Sequence, residues 1–151
     1  MFLGTRFTEL YPSFSPDGRW MAYVSDESGT MEVYARPFPG PGGRWQISSG
    51  GGTRPVWSRA GHELLFQSLD RRVISVSYTV NGDSFTPGKQ QEWPDIRLAE
   101  IGDLATFDLS PDGKHLAALL VVGTEAEKPR THLMFLLNFS DEVRRRAPAG
   151  K

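Results

Sequence analysis

The chain has 151 residues, of which 38% are hydrophobic and 23% charged, and its formal net charge is −1. This is the composition of one globular domain with a core of its own, and near-neutrality gives no general attraction to nucleic acid or an anionic membrane. Cysteine is absent, which excludes disulfides, thiolate chemistry and zinc sites built on cysteine.

The first six residues lack the charged, apolar and small-residue zones of a signal peptide. Residues 2–7 predict a strand that stands ahead of the first of three related segments. The clearest copy is Pro12-Ser13-Phe14-Ser15-Pro16-Asp17-Gly18-Arg19-Trp20-Met21-Ala22-Tyr23-Val24-Ser25. The segments beginning at Pro55 and Phe107 match it position for position, so that Gly18, Gly61 and Gly113 are equivalent. Their spacings of 43 and 52 residues bracket one four-stranded unit, the second with a modest loop insertion.

Each copy predicts a hairpin. An apolar residue (Phe14, Trp57, Leu109) precedes a serine, and Ser-Pro-Asp-Gly then turns the chain. Proline presets φ, aspartate bonds the local backbone and glycine accepts a positive φ. The second copy has Arg59-Ala60 in place of Pro-Asp, which predicts a less rigid turn. Third strands follow at residues 31–36, 72–78 and 131–137, rich in β-branched, aromatic and long apolar residues. Fourth strands are expected at residues 44–48 and 90–97. No fourth strand is evident in the last unit, where residues 139–146 predict a short helix. The longest apolar run, residues 116–122, is far below the ~20 residues that span a bilayer and suits a buried strand.

These repeats, with the Glu32-Val33-Tyr34 strand, resemble the TolB-like (WD-repeat-like) β-propeller family. Arg36-Pro37-Phe38-Pro39-Gly40-Pro41-Gly42-Gly43 and Gly50-Gly51-Gly52 are similar to bacterial propellers found C-terminal to transmembrane serine/threonine kinases and in related sensors. The resemblance implies an all-β fold of three four-stranded antiparallel blades, half of a six-bladed ring. Blade one would span 8–49, blade two 50–98, blade three 99–138 and a tail 139–151. It also implies an extracytoplasmic setting and a protein or peptide ligand. No kinase motif accompanies it.

Three blades do not close a ring, which takes at least about four. Two chains would supply six, with strand 2–7 of one completing blade three of the other in a homodimer; a longer parent protein is the competing explanation. The residues expected at the channel mouth are those just before each repeat: Glu9, Tyr11, Thr53, Arg54, Asp103 and Thr106. They mix both charges with an aromatic, which suits a protein partner.

No catalytic residue, metal ligand or cofactor is expected, and the chain reads as a noncatalytic module; the alternative is an accessory or catalytic propeller domain of an enzyme. Asp17 and Asp112 are explained by turn chemistry, and Asp26, Glu27 and Glu32 read as a solvated loop. His62, His115 and His132 fall on different blades and lack metal-binding spacing. Gly50-Gly51-Gly52 is a phosphate loop only in composition. Trp20, Trp45, Trp57 and Trp93 read as packing between blades, and Arg144-Arg145-Arg146 as a solvated basic run.

Overall fold

The computed structural model describes residues 5–102, 104–120 and 134–136, with residues 94–95 and 134–136 described by backbone alone. Among these residues every regular element is a strand, and the strands form three antiparallel sheets. The first contains β1 (Glu9–Phe14), β2 (Trp20–Ser25), β3 (Glu32–Pro37) and β4 (Trp45–Gln46), in that order. The second repeats the order with β5 (Thr53–Trp57), β6 (Glu63–Gln67), β7 (Arg72–Asn81) and β8 (Ser84–Arg97). The third has β9 (Phe107–Leu109), β10 (Leu116–Ala118) and β11 (Met134–Leu136), with β10 central. The helix expected at 139–146 lies outside the described residues. So does the start of the strand expected at 2–7, and its remainder, Thr5 to Phe7, is irregular, with a bend at Arg6 and Phe7.

Each repeat motif forms the first hairpin of its sheet. In the first, Ser15 Oγ donates to Asp17 Oδ1 at 2.6 Å and accepts from the Trp20 amide at 2.9 Å. In the third, Ser110 and Asp112 make the same bond, and the His115 amide donates to Ser110 Oγ at 2.9 Å. Gly18 and Gly113 both have φ +68, a conformation that a side chain would strain. The second turn, without proline or aspartate, keeps the closing bond from the Ser58 amide to the Glu63 carbonyl at 2.9 Å. Its Gly61 is not in the left-handed region.

The same serine–aspartate device occurs once more, at a place without proline or glycine. Ser68 Oγ donates to Asp70 Oδ1 at 2.5 Å and accepts from the Arg72 amide at 3.0 Å, which puts Arg71 at φ +67. Asp17, Asp70 and Asp112 all titrate below the ordinary carboxyl value. Burial opposes this at Asp17, where the bonds from Ser15 and the Arg19 amide outweigh it. The serine hydroxyl is the leading cause at Asp70 and Asp112, and Asp112 falls to about 2.

Sequence alternation predicts one buried face per strand, but β2 is buried at all six positions. Trp20, Ala22 and Val24 join Val33, Ala35 and Ile47 against Trp57, Leu64, Phe66, Val76, Tyr78 and Phe85 of the second sheet. Met21, Tyr23 and Tyr34 form a separate cluster on the opposite face, with the Tyr23 and Tyr34 rings stacked at 5.8 Å. The second and third sheets meet through Leu65, Val73, Trp93, Ile96, Leu98, Phe107, Leu109, Leu116 and Ala118. All four tryptophans therefore lie at seams between sheets.

The hairpin of β7 and β8 is longer than the expected strands at 72–78 and 90–97. The strands run out to a two-residue turn at Gly82 and Asp83, where Asn81 faces Ser84 and Gly82 has φ +59. Pro87 and Gly88 do not end the strand, because the ladder shifts register between Val76 and Tyr78 beside them. A Cβ on Gly88 would come within 2.5 Å of Ser77 Oγ.

Glu32 and Glu27 correct the reading of a solvated acidic loop. Glu32 lies in β3 with 5% exposure. Its Oε2 accepts from Ser48 Oγ, and its Oε1 accepts from the amides of Gly50 at 3.1 Å and Gly51 at 2.9 Å. A buried carboxylate is tolerated when donors surround it, and the link between the first two sheets supplies them. Gly50 and Gly51 have φ +86 and +96, so successive amides point inward at an anion. The glycine cluster is an anion cradle whose anion is the chain's own. The Glu27 side chain is 7% exposed and pairs with Arg44 at 2.5 Å.

Candidate functional site

The first strands of the three sheets are neighbours without sharing a hydrogen-bond ladder: β1 packs beside β5, and β5 beside β9. Toward their downstream ends they line one cavity of about 770 Å³, with Ser13 and Phe14, Val56 and Trp57, and Asp108 and Leu109 as equivalent pairs. Trp57 Nε1 donates to the Ser13 carbonyl across it at 2.9 Å. The Phe14 ring is 54% exposed and meets Phe38 edge-on at 4.8 Å.

At the upstream ends of the same strands the repeat places Tyr11, Arg54 and Thr106 at equivalent positions. In β1 and β5 the ladder slips at this point, between Leu10 and Ser13 and between Thr53 and Val56. Tyr11 and Arg54 consequently have φ +52 and +54, rare for bulky residues and a form of strain that persists only where the surroundings enforce it. Thr106 shows no such inversion.

The three positions are joined in a row. The Arg54 guanidinium carbon lies 5.2 Å from the Tyr11 ring centroid, within cation–π range. Arg54 Nη1 donates to Gln67 Oε1 at 3.4 Å, and Nη2 donates to the Gly102 carbonyl. Gln67 Oε1 also accepts from Thr106 Oγ1 at 2.8 Å. Thr106 is 2% exposed and Gln67 8%, whereas Tyr11 and Arg54 are part-exposed. The row thus runs from a buried amide–hydroxyl pair outward to a cation and a phenol.

The remaining sequence-derived residues sit around it. Thr53 is the register partner of Gln67 on β6. Glu9 begins β1 opposite Ser25 and accepts from Thr5 Oγ1 at 2.9 Å. Asp103 lies outside the described residues. Gln67 and the Gly102 carbonyl were not anticipated. A signal for Gln67 exists in the repeat, where Val24 and Leu119 occupy the equivalent position and only the middle copy is polar.

The histidines do not converge. His62 packs edge-on to Tyr78 at 5.3 Å, and His115 Nδ1 lies 3.2 Å from Asp112 within its own turn; His132 lies outside the described residues. Among the described residues no group of three or more His, Asp or Glu side chains is placed to hold a metal ion. A second cleft of about 450 Å³ separates the first two turns, with Asp17, Arg19, Arg59 and His62 on its walls. No protein-family model matches the chain, and comparison with curated proteins finds no match.

Proposed function

We propose that the chain is an arc of three TolB-like propeller blades, working as a noncatalytic recognition and assembly module. Its recognition surface is the mouth formed where β1, β5 and β9 begin. The observation that carries this reading is the row Tyr11–Arg54–Gln67–Thr106, in which equivalent positions of three repeats meet. A cation and a phenol held on strained backbone, backed by a buried amide and hydroxyl, make a surface fitted to a protein or peptide. Adjacent first strands around a shared cavity, each opening an antiparallel sheet, support the propeller arrangement.

Assembly is the second part of the proposal. The first two sheets have four strands, and the third has three among the described residues. A strand edge without a neighbour is a template for pairing, and segment 2–7 of a second copy, irregular over Thr5 to Phe7 in the single chain, is proposed to pair there as a strand, giving a six-bladed ring. Size-exclusion chromatography with light scattering tests this. Twice the mass of one chain is expected, returning to one chain's mass when residues 2–7 are deleted. A folded monomer of the full chain overturns the ring, and a dimer that survives the deletion overturns the strand exchange.

A further inference from the structure

Arg54 is a cation held by neutral groups. Its partners are an amide oxygen, a backbone carbonyl and an aromatic ring, and among the described residues no carboxylate lies within ion-pair distance of it. Arg44 and Arg71 each have one, and Arg72 has two. Its Nε is buried without a hydrogen-bond partner. A part-buried charge in such surroundings keeps a positive potential that water screens poorly, and buried charges are ordinarily paired.

The guanidinium is also fixed in direction. The backbone inversion at residue 54 aims the side chain, the Tyr11 ring supports one face, and Gln67 is itself anchored by the Thr106 hydroxyl at 2.8 Å. Each terminal nitrogen carries two N–H groups and uses one, on Gln67 and on Gly102 respectively. One donor per nitrogen therefore remains for an acceptor brought by a ligand, and a carboxylate is the acceptor a guanidinium pairs with most strongly. A cation oriented in advance binds with little further loss of side-chain freedom.

We propose that Arg54 is the anchor for a carboxylate of a bound peptide, supplied by a chain terminus or by an Asp or Glu side chain. This rests on the reading of the mouth as a recognition surface and adds the chemistry of what it takes. Tyr11 and Gln67 act as positioning residues, and the strain at residues 11 and 54 holds the fork in place before the ligand arrives.

The test is selection of random-peptide libraries on the immobilised full chain, displayed once with free C-termini and once as internal loops. Fluorescence anisotropy with the selected peptides follows. Free termini recovered without internal acids identify the terminal carboxylate, and internal Asp or Glu the side chain. For either, Arg54→Gln is expected to weaken binding at least about tenfold, as loss of a charge-assisted pair does. Arg54→Lys should retain part of the affinity. Thermal melts of both variants establish that they are folded.

Peptides without acid enrichment, bound equally by wild type and Arg54→Gln but weakened by Thr53→Lys, overturn the carboxylate anchor and leave the recognition surface standing. Peptides indifferent to all mouth substitutions, or none selected, overturn both. The proposal is also overturned if Asp103→Asn lowers the melting temperature as much as Arg54→Gln and the double variant falls no further. The chain would then supply its own carboxylate.

Discussion

The two seams between the sheets are built differently. Between the first and second, aromatic rings interlock: Phe85 lies 5.0 Å from Trp20, 4.7 Å from Tyr78 and 6.2 Å from Trp57. Side chains tie its margins, with Arg19 donating to the Gly82 carbonyl at 3.2 Å and Gln90 to the Ile47 carbonyl at 3.4 Å. Between the second and third sheets the filling is mostly aliphatic, and the chain itself crosses. Leu98 pairs with Leu120, and the Ala99 amide donates to the Leu119 carbonyl at 2.7 Å. The same repeat thus supports one seam held by side-chain shape and one held by backbone continuity.

Phe85→Ala is the most direct way to break the first seam. It removes a fully buried ring around which four other rings, Trp20, Trp45, Trp57 and Tyr78, are arranged, and a loss of about 4 kcal/mol is expected. Leu98→Ala, the counterpart in the second seam, should cost about 3 kcal/mol, because the crossover backbone remains paired. Urea denaturation at matched protein concentration measures both, and equal losses would remove the distinction between the seams.

The links that lead into the seams give the second comparison. Glu32→Ala leaves the Ser48 hydroxyl and the Gly50 and Gly51 amides without their acceptor in a buried link, at an expected cost of about 3 kcal/mol. A change below about 0.5 kcal/mol, as at ordinary surface sites, would mean that the glycines hold their conformation unaided.

What the residues revealed in advance followed from local chemistry. Ser-Pro-Asp-Gly specifies a turn from within itself, so the hairpins and the order of the first sheet were legible. The placement of the tryptophans at seams was legible from their bulk alone, for the repeat aligns Trp20 with Glu63 and His115. Glu32 was misread because its donors lie 16 to 19 residues downstream, beyond any local pattern. The extension of β7 and β8 was missed because Pro87 and Gly88 look like breakers, and only the register shift beside them shows how a strand accommodates both. Arg54 and Tyr11 were picked out by repeat position. Their cation–π contact is a product of two sheets meeting, and their inverted backbone of a register slip within each sheet.

Arg71 offers a gain in stability at the second seam. It holds φ +67 without being glycine, and its carbonyl accepts the Leu98 amide at 2.8 Å, so the crossover depends on this turn. Arg71→Gly removes the strain of a left-handed side chain and loses a surface contact with Glu100 at 3.4 Å. A net stabilisation of about 1 kcal/mol is expected from denaturant midpoints. A destabilised variant would mean that the side chain, and not the serine–aspartate bond, sets the turn.

Acid should separate the turns with the smallest energetic effect. Gly113 of the third turn packs on Ala60 and Ser58 of the second, so the third turn borders the second seam. Asp112 is held at about 2 by the Ser110 hydroxyl first and the Lys114 amide next. An unfolded chain takes up its proton nearer the ordinary value of 3.8. The folded form therefore binds the proton more weakly, and the carboxylate's contribution is complete above about pH 4. It declines as pH falls through that value and is gone below about pH 2. Asp112→Asn should remove this part of the acid slope, so that its deficit against wild type in thermal melts shrinks between about pH 4 and pH 2. The second turn has Ala60 at this position and has no such slope to lose. A carboxyl resonance of Asp112 titrating near 4 would show that the third turn is held by proline and glycine alone, as firmly in acid as at neutrality.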